Sequence, residues 1–148
     1  MASNQNLQLM RSAKLSNLPT FGNYAADFEQ SLRDNDWTRL EQYFATDSSY
    51  LPGDGSEAVG RAAVMQALQD SVNALERKCD TRELIGEPDI SEAGDTITLN
   101  YELKYTKSGL PDLHLKGCET VDYANGLIQR MEDVFENQAE MQSWQTKL

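Results

Sequence analysis

Apolar residues recur at intervals of three and four until about Cys79 and at intervals of two after it, and this change of period does most to limit how the chain folds. From Pro19 onward, Phe21, Tyr24, Ala25, Phe28 and Leu32 share one helical stripe. Asn35 or Asp36 caps a short second helix that turns Trp37, Leu40 and Phe44 inward. "SSYLPGDGS" is a short extended piece broken by Pro52, Gly53 and Gly55, and Gly60 precedes a third helix carrying Val64, Met65, Leu68, Val72 and Leu75. Beyond Cys79, "TRELIGEPDI" is a strand candidate and "EAGD" a turn. "TITLNYELKYT" alternates with Ile97, Leu99, Tyr101, Leu103 and Tyr105 on one face, "KSGLPD" reverses the chain, and two further strands follow, the last from Leu127 to Phe135. Helices first and hairpin-linked strands afterwards predict an α+β fold in which three helices cover one face of an antiparallel sheet.

No repeat or low-complexity linker divides the pattern, so one domain is expected over residues 18–137. Residues 1–17 read as a flexible N-terminal tail. Residues 138–148 read as a C-terminal extension, in which "AEMQSWQTKL" forms a short helix with Met141, Trp144 and Leu148 inward. With 24 acidic against 13 basic side chains the net charge is −11, and no Lys/Arg cluster reverses it locally, which argues against nucleic acid or an anionic membrane as partner. No stretch is long and apolar enough for a membrane span or a signal peptide, so a cytoplasmic, reduced protein is expected. One His and two Cys do not supply an ordinary zinc site, and the glycines of "PGDGSEAVGR" lack phosphate-loop or dinucleotide spacing; neither a metal nor a cofactor is expected.

In "GCETVDYANGLI", counting by twos puts Leu113, Leu115, Gly117, Glu119, Val121 and Tyr123 on one face, which makes Glu119 a carboxylate on an apolar wall. The turn decides what it faces. A two-residue Asn125-Gly126 turn sets Glu119 opposite Glu132, like charge against like. A three-residue Ala124-Asn125-Gly126 loop pairs Glu119 with Met131, Leu115 with Phe135 and Gly117 with Asp133, giving one coherent apolar face. The second register is the expected one. It brings Asp133 diagonal to Glu119, with Gly117 leaving open space between them. Desolvation and a like-charged neighbour both raise a carboxyl pKa, which suits proton transfer near neutral pH. The competing reading places Glu119 at a sheet edge, beside a buried cation, or turned outward by a bulge.

The "DW..L..YFATD" segment, Gly60 before the long helix, and the "G.E.....NG.I" ending resemble the nuclear transport factor 2-like superfamily, within it the SnoaL-like polyketide cyclase and ketosteroid isomerase branches. The resemblance spans residues 18–137. It implies a strongly curved antiparallel sheet wrapped with three helices into a cystatin-like α+β cone, a cavity for a small apolar molecule, and a homodimer. It also carries a functional carboxyl onto Glu119: an acid/base Asp in the cyclases, a protonated, hydrogen-bond-donating Asp in the isomerases. Three positions depart from the pattern. The isomerase base falls at Leu51-Pro52, its oxyanion Tyr at Phe28 with Tyr24 one turn earlier, and the cyclase His at Met131.

The expected catalytic group is therefore Glu119 with Asp133 and Tyr101 in support, Tyr101 reaching Glu119 if its strand pairs it near Gly117. The expected pocket is formed by Tyr24, Phe28, Trp37, Tyr50, Leu99, Leu115, Gly117, Met131 and Phe135. His114 and Cys118 fall on the polar face, and Asp54 sits in a turn that favours Asp for local hydrogen bonding. These expectations describe cofactor-independent isomerase, cyclase or dehydratase chemistry on a small apolar substrate. The alternative is a non-catalytic ligand-binding or dimeric interaction module of the same fold.

Overall fold

Pro19 in its first turn and Asn35 in the left-handed conformation at its end bracket the first helix, α1 (Leu18–Asp34), with the Asn35 N–H closing on Ser31 O at 2.9 Å. A 3-10 turn, Thr38–Tyr43, leads into β1 (Phe44–Leu51). β2 (Ala58–Val59) follows, then α2 (Arg61–Ala74), β3 (Thr81–Leu84), β4 (Asp89–Ala93), β5 (Thr96–Thr106), β6 (Leu113–Ala124), β7 (Leu127–Phe135) and α3 (Gln138–Gln145). This computed structural model describes residues 15–148, so the expected tail over residues 1–17 lies outside the described residues apart from its last three. Of those, Ser16 Oγ and the Asn17 N–H donate to the two carboxylate oxygens of Glu92, each at 2.8 Å.

The strands form one curled, open sheet in the order β2-β1-β7-β6-β5-β3, with β4 also paired to β5, and the helices pack inside its curve. The α+β class holds. Four local expectations change. Phe44 opens β1 rather than closing a helix, because its backbone is already extended at φ −108°, ψ 138°. β1 runs parallel to β7, so the sheet is not antiparallel throughout. "TRELIGEPDI" is two strands, since Gly86 takes a left-handed φ of 69° and Pro88 follows it; β3 and β4 then pair with successive parts of β5.

The fourth change is the hairpin register. Asn125 and Gly126 both take positive φ, 53° and 78°, and form a two-residue turn between Ala124 and Leu127. One β7 residue, Gln129, is then extra: Tyr123 pairs with Ile128 but Asp122 with Arg130. The bulge restores the apolar face by a different route from the three-residue loop. It pairs Val121 with Met131, Glu119 with Asp133 and Gly117 with Phe135.

Apolar side chains gather in two groups. One joins Phe21, Tyr24, Leu40, Phe44, Val64 and Met131 beneath α1 and α2; the other joins Leu75, Tyr105, Leu113, Met141 and Trp144 beneath α3. Trp144 anchors α3 through its indole N–H to Pro111 O at 2.7 Å. Among the described residues no helix is long and apolar enough to cross a membrane.

Gly117 is not a gap. A Cβ built there would lie 2.4 Å from Tyr101 Cζ, so the Tyr101 ring lies over the glycine and fills the space expected to be open. Gly117→Ala is expected to cost about 1–3 kcal/mol in urea unfolding. In a Tyr101→Leu background the same substitution costs much less; an equal cost in both backgrounds would refute the ring-over-glycine packing.

Candidate functional site

Between the two apolar groups lies a cavity of about 630 Å³, bordered by α3 and floored by β5, β6 and β7. Its polar centre is the Glu119–Asp133 pair. The two residues stand directly opposite across β6 and β7, on the inward face of the sheet. Parallel pairing places Tyr50 of β1 beside Met131, two residues before Asp133, and the Tyr50 hydroxyl donates to Asp133 Oδ2 at 2.6 Å. Asp133 is only 8% exposed, and its Oδ1 receives no hydrogen bond from any described nitrogen or hydroxyl. Glu119 keeps some accessible surface because it faces the cavity.

Two carboxyl groups this close share a proton more readily than they bear two charges. Burial, then the Asp133 charge and the hydrogen bond to Asp133, hold the Glu119 carboxyl well above the usual carboxylate range. Burial also raises Asp133, while hydrogen bonds from Glu119 and Tyr50 oppose the rise. Both carboxyls are thus raised, Glu119 the more strongly, and the pair retains a proton more readily than an isolated carboxyl would. The phenols around them stay neutral: burial, with the charge of the pair, pushes Tyr24, Tyr50 and Tyr101 upward.

Of the residues expected in the pocket, Tyr24, Phe28, Tyr50, Leu99, Leu115 and Phe135 line it, as do Tyr101, Glu119 and Asp133. Tyr101 pairs with Gly117, as its proposed reach to Glu119 requires. Three lie behind the wall. Trp37 packs in the core with its indole N–H on Asn35 Oδ1 at 2.8 Å. Met131 is fully buried, its sulfur 3.7 Å from the Tyr24 hydroxyl, and Gly117 is covered by Tyr101. His114 is exposed, away from the cavity. Asp54 reaches the cavity rim while accepting the Ser56 N–H at 2.9 Å.

A second polar group was not foreseen. Arg82 of β3 lies 3.1 Å from both Glu29 of α1 and Glu76 just beyond α2, and the Tyr105 hydroxyl donates to Glu76 at 3.2 Å. All four residues border the cavity. They come from three distant parts of the chain, and none breaks its local pattern, so no signal in the sequence could have assembled them. Gln138, Met141, Gln142 and Gln145 of α3 also line the cavity, and the helical spacing of "AEMQSWQ" was the signal available for them.

No family model matches the chain, and no curated protein matches it. Solved structures do. An NTF2-like protein of unknown function from Burkholderia pseudomallei superposes with a TM-score of 0.65 at 21% identity, over 89% of this chain and 99% of that one. A candidate polyketide cyclase from Xanthomonas campestris pv. campestris gives 0.61 at 19% identity, over 88% and 99%. A candidate SnoaL-like polyketide cyclase from Shewanella putrefaciens gives 0.58 at 12% identity, over 85% and 95%. At these identities the similarity establishes the fold and leaves the chemistry to the site.

The raised Glu119 value has a testable sign. A carboxyl whose folded-state pKa lies above its unfolded value stabilises the fold fully below the unfolded value, here 4.5, and that contribution is lost as pH rises through the folded value. Glu119→Gln keeps a donor for Asp133 and removes the titration. The variant's denaturation midpoint, relative to the wild type, is therefore expected to climb steadily from acid to neutral pH. A difference that does not change with pH would mean that Glu119 is not held protonated.

Proposed function

From a chain with the nuclear transport factor 2-like fold, we propose a small-molecule enzyme that performs cofactor-independent acid/base chemistry, of isomerase, cyclase or dehydratase type, on a mainly apolar substrate. The observation that carries this reading is the Glu119–Asp133 pair, tied to Tyr50 at 2.6 Å, on the floor of a largely apolar cavity. A pair holding one proton is at once an acid and a base. Glu119 delivers its proton, or a hydrogen bond, to a substrate carbonyl oxygen, while the pair's carboxylate takes a proton from the adjacent carbon. The ketone leaves as its enol and the pair regains the proton count it began with. Complete loss of the Glu119 proton would leave two carboxylates in an apolar hollow, so the transfer back is strongly driven. Tyr101, laid across Gly117, serves as the wall that aligns the substrate.

The test uses an enolisable bicyclic ketone, 2-tetralone, in D2O. NMR should show exchange of the protons next to the carbonyl accelerated by the chain, and Glu119→Gln should lose roughly a hundredfold or more of that acceleration while its affinity for the ketone is kept. Equal exchange rates in the two proteins would remove Glu119 from the chemistry.

A binding module that does no chemistry is favoured by one specific finding: Leu51-Pro52, Phe28 and Met131 occupy positions where the resembling enzymes carry reacting groups. Under that reading 2-tetralone binds and its exchange rate does not change. We further propose a homodimer, as the family resemblance implies, in a reducing cytoplasmic setting that suits the free thiols Cys79 and Cys118. Sedimentation at twice the chain mass of 16.6 kDa is expected, and a monomer's mass would reject the dimer.

A further inference from the structure

The cavity is unusual for the sign of its charge. Glu29, Asp54, Asp70, Glu76, Glu119 and Asp133 all border it, against the single cation Arg82 among the described residues. Arg82 is already committed, 3.1 Å from Glu29 and 3.1 Å from Glu76. An anionic ligand therefore finds no free cation to meet it among the described residues of the wall. The remaining wall is largely apolar, and the rings of Tyr24, Tyr50 and Tyr101 on it are near enough to the carboxyl pair to feel its charge.

Independently of this acidic lining, Asp133 is more than nine-tenths buried, borders the cavity, and has one oxygen, Oδ1, to which no described nitrogen or hydroxyl donates. The only thing that lets two carboxyl groups lie together here is one positive charge between them, and a proton is the smallest form of it. We infer that the cavity binds an apolar ammonium ion whose charge takes the place of the proton shared by Glu119 and Asp133. Aromatic faces add cation–π attraction, which is strongest where water is excluded. This deepens the functional reading by naming the charge class of the ligand. It rests on the cavity being a ligand site and does not require Glu119 to turn a substrate over.

Ammonium binding then expels a proton. The groups that feel the Glu119 charge are Asp133 of β7, Cys118 of β6, Glu76 beyond α2, Tyr24 of α1, Tyr50 of β1, Tyr101 of β5 and Tyr123 of β6. None of them is a cation that would compensate the charge of the pair in the proton's absence. Affinity for a permanently charged ammonium therefore tightens as pH rises toward the value at which the free pair loses its proton, and binding below that value releases a proton into the buffer.

The experiment titrates the full chain by calorimetry with three probes of one shape: (2-naphthylmethyl)trimethylammonium, its uncharged isostere 2-neopentylnaphthalene, and the anion 2-naphthylacetate. The ammonium is expected to bind at least about tenfold more tightly than the isostere, and the anion more weakly than either. Heats measured in buffers of different ionisation enthalpy should show the proton release. Glu119→Gln should abolish that release and flatten the pH dependence, and Asp133→Asn should bring the ammonium and the isostere to within about threefold of each other. If Asp133→Asn does not fold by circular dichroism, the Glu119→Gln result decides alone. The inference is overturned if the isostere or the anion binds as tightly as the ammonium, if none of the three binds, or if proton release survives Glu119→Gln. The 2-tetralone exchange assay is read separately, so loss of turnover and loss of charge selectivity are distinguishable.

Discussion

One extra residue in β7 sets the interior of this fold. After the two-residue turn at Asn125-Gly126, simple pairing would put Glu119 opposite Glu132 and turn Met131, Asp133 and Phe135 to the outside. Gln129 breaks that pairing, so that the following residues meet β6 one step later and their apolar side chains face the helices. The bulged residue has its own employment: Gln129 Nε2 donates to Asp47 Oδ1 at 3.0 Å and to Asp47 O at 3.3 Å, across the stretch where the β1 register itself shifts. The same irregularity therefore aligns β7 with both neighbours. Tyr50 reaches Asp133, and Asp133 reaches Glu119, only because both alignments hold.

A buried carboxyl pair weakens a fold unless something offsets its desolvation. Here the offset is the pair's raised hold on a proton, which spares it a second charge, together with one short phenol hydrogen bond. The two apolar groups on either side of the cavity supply the burial that makes such a centre tolerable, and the α3 anchor at Pro111 keeps the second of them in place. Under the proposed function, stability and proton transfer would be opposed at this point.

The elements that rest on local periodicity were legible in the sequence. The stripes of α1 and α2, the alternation of β5 and β6, and the anomaly of Glu119 all follow from side-chain spacing, and so does the presence of Tyr101 on the inward face. What the sequence hid depends on contacts between distant segments. Ile128-Gln129-Arg130 contains no glycine or proline to mark a bulge, so the two-residue turn looked worse than it is. The parallel pairing of β1 with β7 joins the two ends of the domain and leaves no trace in either strand. Gly117 read as open space because the Tyr101 ring that covers it comes from another strand. Trp37 and Met131 have the composition of pocket residues, yet burial behind the wall claims the same apolar side chains, and spacing alone does not separate the two fates.

The shared proton ties the two proposals together in one physical account. With a neutral ligand in the cavity, the pair keeps its proton and Glu119 presents an acid to whatever oxygen lies against it. With a cationic ligand the positive charge is supplied from outside, the proton becomes redundant, and Glu119 presents a carboxylate to the carbons next to that charge. Those carbons are the more acidic for having a cation beside them, so the ligand that converts Glu119 into a base is also the ligand that most readily yields a proton to it. Ligand charge, rather than a second protein group, would then choose the direction in which the site works, since the one arginine among the described residues of the cavity wall is already held by Glu29 and Glu76.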